Sequence, residues 1–183
     1  VLHIGDPAFT ASLLARAAKS SGRNWHVQTL AKAPRDAGWL RPVHQLARGA
    51  GWEFELARNR RRYDRVHLHA ALAYRQVSWT VKDFALHLHG TDIRQRQYEK
   101  PHRNKILAAT HRARVVFYST PDLAGHISPH RTDARLVPVP VPTAPTSGIN
   151  PLPDPTAPYV FFVPRWEEAK GGSHQVELAR RLC

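Results

Sequence analysis

Within the segment Asp83–Arg94 the chain changes character across a single residue. Phe84-Ala85-Leu86-His87-Leu88 is an apolar run interrupted only by His87, and it breaks at Gly90 into a polar corner of His89, Thr91, Asp92 and Arg94. A run this short and this apolar suits a strand buried on both faces, as in a parallel sheet. The same switch recurs elsewhere. Val1-Leu2-His3-Ile4 runs into Gly5-Asp6-Pro7, and Val66-His67-Leu68-His69 also ends on a polar group. Val115-Val116-Phe117-Tyr118 runs into Ser119-Thr120-Pro121-Asp122. In an open α/β sheet, ligands collect beyond the carboxyl ends of the strands, so these polar tips are the candidate site.

The intervening segments carry helical spacing. Asp6 can cap a helix that begins at Pro7, and Phe9, Leu13, Leu14, Ala17 and Ala18 follow at helical intervals. Gly22 is a stop, and Trp25 to Leu30 reads as a second strand, completing a βαβ unit. The G-x-G-x-x-G fingerprint is missing, so no dinucleotide is indicated. Residues 31–62 suggest helical pieces interrupted at Gly38, Gly49 and Gly51. Further helices are expected over Ala70–Lys82 and Arg103–Arg114, and a short one after Thr120-Pro121-Asp122. Ala134–Val139 supplies another strand. The fold class is α/β, a Rossmann-like parallel sheet with helices on both faces.

Eight of the 15 prolines fall between Pro138 and Pro158, too dense for regular structure and suited to a stiff connector. Tyr159-Val160-Phe161-Phe162-Val163 then begins a fresh strand and 174–182 a helix, which together cannot bury a core. The expected organisation is a Rossmann-like domain over 1–140, a Pro-rich linker over 141–158, and the truncated start of a second Rossmann-like domain over 159–183.

With 27 Lys+Arg against 14 Asp+Glu, the formal charge is +13, which favours anionic partners. The densest run, Arg58 to Arg65, reads as a solvated helix end. No zinc knuckle, helix-turn-helix or ribonucleoprotein motif accompanies the charge, so nucleic acid is not expected. The single Cys183 excludes an intrachain disulfide framework and a thiolate metal cage. A cytoplasmic setting is the default, and the absence of Met suggests a trimmed piece.

His67/His69 and His87/His89 have i, i+2 spacing, which places both imidazoles of each pair on one face of a strand. Asp92 could join them around a metal, but no tight ligand motif is present, so no metal is expected. Arg165 and Lys170, followed by Gly171-Gly172 and a helix start, form a natural diphosphate cradle.

Taken together, these segments resemble the retaining GT-B glycosyltransferases, in particular the large family-four group. The pieces that carry the resemblance are His87-Leu88-His89-Gly90-Thr91-Asp92-Ile93-Arg94, Val116-Phe117-Tyr118-Ser119-Thr120, Ala134-Arg135-Leu136-Val137-Pro138 and Phe161 to Gly171. The resemblance implies an acceptor-side amino-terminal domain and the first elements of a nucleotide-sugar-binding domain. It assigns the donor diphosphate to Arg165 and Lys170 and places His89 beside the reacting sugar as the catalytic residue. Gly5, Asp6, Gly90, Thr91, Asp92, Ser119 and Thr120 would border the acceptor or sugar pocket. The chain departs from the family's usual turn before the linker at Pro138-Val139-Pro140-Val141-Pro142, and from its glycine before Arg165, where Pro164 stands.

The full-length protein would then move a sugar from a nucleotide-diphosphate sugar to a hydroxyl acceptor with retention, without a cofactor or metal. The 183-residue chain alone is expected to be inactive. Its charge suits peripheral contact with an anionic membrane face. The alternative is a non-enzymatic basic α/β module that binds a phosphorylated ligand or nucleic acid. A histidine-based metal hydrolase is a third reading.

Overall fold

The structure, a computed structural model, describes residues 1–30 and 41–139, together with Glu177. By Cα proximity the chain divides into the units Val1–Pro142 and Thr143–Cys183, and the fold below belongs to the first. The expected linker and second-domain strand, and with them Arg165 and Lys170, lie outside the described residues.

Six strands form one all-parallel sheet. They are β1 (Leu2–Ile4), β2 (His26–Gln28), β3 (Val66–His69), β4 (Ala85–Leu88), β5 (Val115–Tyr118) and β6 (Arg135–Leu136), in the order β2-β1-β3-β4-β5-β6. Six α-helices accompany them among the described residues: α1 (Thr10–Ser20), α2 (Arg41–Arg60), α3 (Tyr74–Val77), α4 (Gly90–Arg94), α5 (Lys100–Arg112) and α6 (Ala124–Ile127). The architecture is α/β and consistent with a Rossmann-like fold. No helix among the described residues is long and apolar enough to cross a membrane.

The strand order explains the layers. The chain moves one way from β1 to β2, then back across β1 to β3 and outward to β6. Right-handed crossovers therefore put α1 on one face and α2, α3, α5 and α6 on the other. The second face is the dry one. Leu2, Ile4, Val66, Leu68, Leu86, Leu88 and Val116 point there and join Leu56 of α2, Val77 of α3, Ile106 of α5 and Ile127 of α6 in one core. Each fully buried Leu or Ile contributes roughly 1.5–3 kcal/mol relative to exposure. The strand order reverses between β1 and β3, so the topological switch point lies outside the carboxyl ends of those two strands.

Several local readings change. Residues 41–60 form one continuous 20-residue helix, not pieces broken at Gly49 and Gly51. Two glycines cost roughly 2 kcal/mol of helix propensity, which burial of Leu56 and of the helix's half-buried Trp52 offsets. Arg58 and Arg60 occupy its last turn, where cations complement the helix dipole. The helix expected over Ala70–Lys82 shrinks to a 3-10 turn, Ala71–Ala73, and the four residues of α3. α5 starts earlier than Arg103, because Pro101 in its first turn has no N–H to lose. The corner after β4 is itself helical, as α4. β6 is only two residues long and exposed, against the longer strand expected over Ala134–Val139, where Pro138 cannot extend a ladder.

Candidate functional site: a polar rim above a histidine-lined sheet face

The carboxyl ends of β1, β3, β4 and β5 are tied together by specific contacts. At the switch point Gly5 has φ +81°, and its amide donates to the Gln28 carbonyl at 2.9 Å. A Cβ at Gly5 would stand 2.9 Å from the His69 backbone oxygen, so only glycine fits between β1 and β3. Asp6 follows. Its carboxylate accepts from the Ser12 amide at 3.1 Å and from the Ser12 hydroxyl, which fixes the start of α1. Ala70, just past β3, is held at φ 82°, a conformation that L-residues rarely adopt. Its amide donates to the His87 carbonyl at 3.0 Å, which pins it there.

The corner Gly90–Arg94 reaches both ways. Asp92 is buried, and its Oδ2 accepts the Ala71 amide at 2.7 Å, tying the β4 exit to the β3 exit. Burial pushes the Asp92 carboxyl up, against the opposing pull of that amide. Arg94 turns toward β5 instead. Its Nε donates to Asp122 at 2.7 Å and its Nη2 to the Thr120 hydroxyl at 3.2 Å. The Arg94 guanidinium helps to hold the Asp122 carboxyl down, at about 2. Ser119 donates its amide to the Leu88 carbonyl at 3.2 Å. Thr91 is exposed and Gly90 half-buried under the Arg94 guanidinium. Gly5, Asp6, His89, Gly90, Thr91, Asp92, Ser119 and Thr120 thus all stand just beyond the carboxyl ends of β1, β4 and β5, with Gly5, Asp92 and Ser119 buried.

Replacing Asp92 with alanine removes the acceptor of a buried amide. Leaving that N–H unpaired costs about 1–3 kcal/mol. Urea melts of Asp92→Ala should show a loss of that size, with Asp92→Asn recovering most of it. A loss in Asp92→Ala below about 0.5 kcal/mol would mean that the tie carries no energy.

Below this rim lies a feature only half legible in the sequence. Register pairs His3 with His67 and His69 with His87, so all four imidazoles project from the face opposite the dry core. His89 extends the stripe past the end of β4. Ring centroids are 4.4 Å apart for His67 and His69, and 4.7 Å for His87 and His89, as the i, i+2 spacing anticipated. His3 joins through the strand pairing. Its ring lies 5.0 Å from His67 and 5.3 Å from His69, with Trp25 at 5.2 Å on its other side. The nitrogens form a chain. His3 Nδ1 faces His69 Nε2 at 3.0 Å, and His69 Nδ1 faces His89 Nε2 at 3.4 Å.

His3, His69 and His87 are at most 1% exposed. Desolvation disfavours imidazolium. It lowers His3, His87 and His89 to about 4 and His67 to about 3, with neighbouring imidazoles adding to the fall for His3, His67 and His89. His69 is lowered as well, first by burial and then by the rings around it. Five neutral imidazoles therefore share one face at neutral pH. Their satisfaction is incomplete: His3 Nε2 and His67 Nε2 are buried without a hydrogen-bond partner, and His87 has only a weak contact with the Val137 backbone.

A cavity of about 390 Å³ opens on this face at the amino ends of the strands. His3, His67, Trp25 and Phe117 line it, and Asp83 stands at its margin, 3.8 Å from Arg65 and 3.6 Å from Arg114. It lies away from the rim, so cavity and rim chemistry occupy opposite ends of the same sheet face.

No known family model matches this chain, and no curated protein matches it.

Proposed function

We propose that this chain is the acceptor-side part of a retaining glycosyltransferase that uses a nucleotide-diphosphate sugar. The observation that carries the reading is the shared rim: Gly5, Asp6, His89, Gly90, Thr91, Ser119 and Thr120 gather at the carboxyl ends of β1, β4 and β5. The Thr91 and Thr120 hydroxyls beside a neutral imidazole suit sugar hydroxyls, which need donors and acceptors in close alternation. His89, lowered to about 4 by burial, stays neutral at physiological pH and keeps one nitrogen as an acceptor.

In this reading the chemistry is transfer of the sugar from the diphosphate oxygen to the acceptor hydroxyl oxygen, with the hydroxyl proton released. Negative charge develops on the departing diphosphate. Arg165 and Lys170 supply the compensating cations, and such stabilisation lowers the barrier without a metal. The net charge of +13 favours the anionic donor and an acceptor presented at an anionic membrane face.

The test is sugar-nucleotide turnover by the full-length protein. Arg165→Ala and Lys170→Ala should each lower turnover by about 10²–10³-fold, the usual cost of removing one charge-stabilising donor. Unchanged turnover in both variants would remove the diphosphate cradle. Salt-sensitive binding to arbitrary DNA, with no response to sugar nucleotides, would favour the binding-module alternative.

A further inference from the structure

We infer that His69, His87 and His89 form a binding site for a zinc-type divalent cation, held by three imidazoles with one coordination position open toward the rim. One nitrogen from each of the three lies within 4.8 Å of the others. His69 Nδ1 and His89 Nε2 face each other at 3.4 Å, long for a hydrogen bond between rings. It matches the roughly 3.3–3.4 Å that separates two nitrogens on a tetrahedral ion with bonds of about 2.0–2.1 Å. His87 completes the set. It is 1% exposed, and with the Val137 backbone its only polar neighbour outside the histidines among the described residues, a shared cation would satisfy the ring nitrogen turned toward His69 and His89.

The surroundings fit a ligand set as well. A metal-bound imidazole is usually oriented by a hydrogen bond from its second nitrogen. His69 has that bond: its Nε2 lies 3.0 Å from His3 Nδ1. The other triple within reach, His3, His67 and His69, would consume this contact and lose the orienting partner. His89 is only half-buried, so the fourth position looks outward, as in sites that keep an open place for water or an anion. Neutral nitrogen donors suit zinc-like ions, whereas calcium and magnesium require oxygen. This inference does not rest on the transferase reading: cation uptake requires neither Arg165 nor Lys170, and the one residue the two share, His89, would give its acceptor nitrogen to the cation when it is bound.

The experiment uses the 183-residue chain, stripped with a chelator and titrated with Zn²⁺ and with Co²⁺. One equivalent should bind, with the visible absorption of tetrahedral cobalt. Affinity should fall at least tenfold in His87→Ala and in His89→Ala, and stay unchanged in a variant of the exposed His111 on α5, His111→Ala. Should His87→Ala fail to fold, His89→Ala at the half-buried rim and X-ray absorption of the zinc-loaded wild type carry the test. Three imidazole shells at about 2.0 Å support the site. Absence of uptake, an all-oxygen shell, or affinity unaltered in His89→Ala would overturn it.

Discussion

Acidifying the metal-free protein is expected to destabilise it steeply, beginning just below pH 6.5. Burial depresses the folded-state pKa values of His3, His87 and His89 to about 4 and of His67 to about 3, and lowers His69 too. An unfolded imidazole titrates at about 6.5. Between the two values the unfolded chain binds more protons than the folded one, so stability rises with pH. The histidines' contribution is therefore present in full above about pH 6.5 and is lost as pH falls toward 4. A single depressed group contributes up to about 1.4 kcal/mol per pH unit within its window, and five such groups act together here. Against a total stability of roughly 5–15 kcal/mol, the fold should be largely lost by about pH 5. Urea midpoints measured from about pH 8 to pH 5 check this. A flat midpoint over that range would mean that the imidazoles are not buried together.

The second large effect is expected from Gly5→Ala. A side chain at φ +81° costs roughly 1–2 kcal/mol in backbone strain alone. The added Cβ would also stand 2.9 Å from the His69 carbonyl oxygen, and a backbone atom in a central parallel strand cannot swing away as a side chain could. The combined loss should reach about 3 kcal/mol or more, in the range of severe backbone substitutions. Gly22→Ala is the matching control. It has φ +72°, but its Cβ would meet nothing within 4 Å, so it should cost only the strain. Thermal melts of the two variants separate the terms. Equal losses would show that β1 and β3 do not approach closely at the switch point.

How far the sequence could carry this picture depended on the range of the interaction. Val115–Tyr118 and Phe84–Leu88 were legible because their apolar runs are local, the first uninterrupted and the second broken only by His87. The i, i+2 histidine pairs were legible because strand geometry alone puts them on one face. His3 was not, since only the pairing of His3 with His67 brings it into the stripe, and register between strands 64 residues apart leaves no local trace. The unbroken α2 was obscured by Gly49 and Gly51, whose unfavourable propensity is outweighed by tertiary packing of Leu56 and Trp52. Asp92 reads as a rim residue from its position in a polar corner. Its inward turn depends on an amide from Ala71, an atom that sequence patterns do not reveal. Ala70 gave no signal either, because alanine is not the residue expected at positive φ.

The rim and the histidine face both depend on one arrangement: β1, β3 and β4 side by side in parallel, with His3 level with His67 and His69 level with His87. Long-range nitrogen–proton spectra of the metal-free protein's imidazoles, recorded at about pH 5.5 in the fraction still folded, test it most directly. The register predicts His3, His67, His69, His87 and His89 all neutral at that pH, with through-space contacts linking His3 to His67 and His69. Imidazolium signals from these five residues in the folded protein, without those contacts, would contradict it.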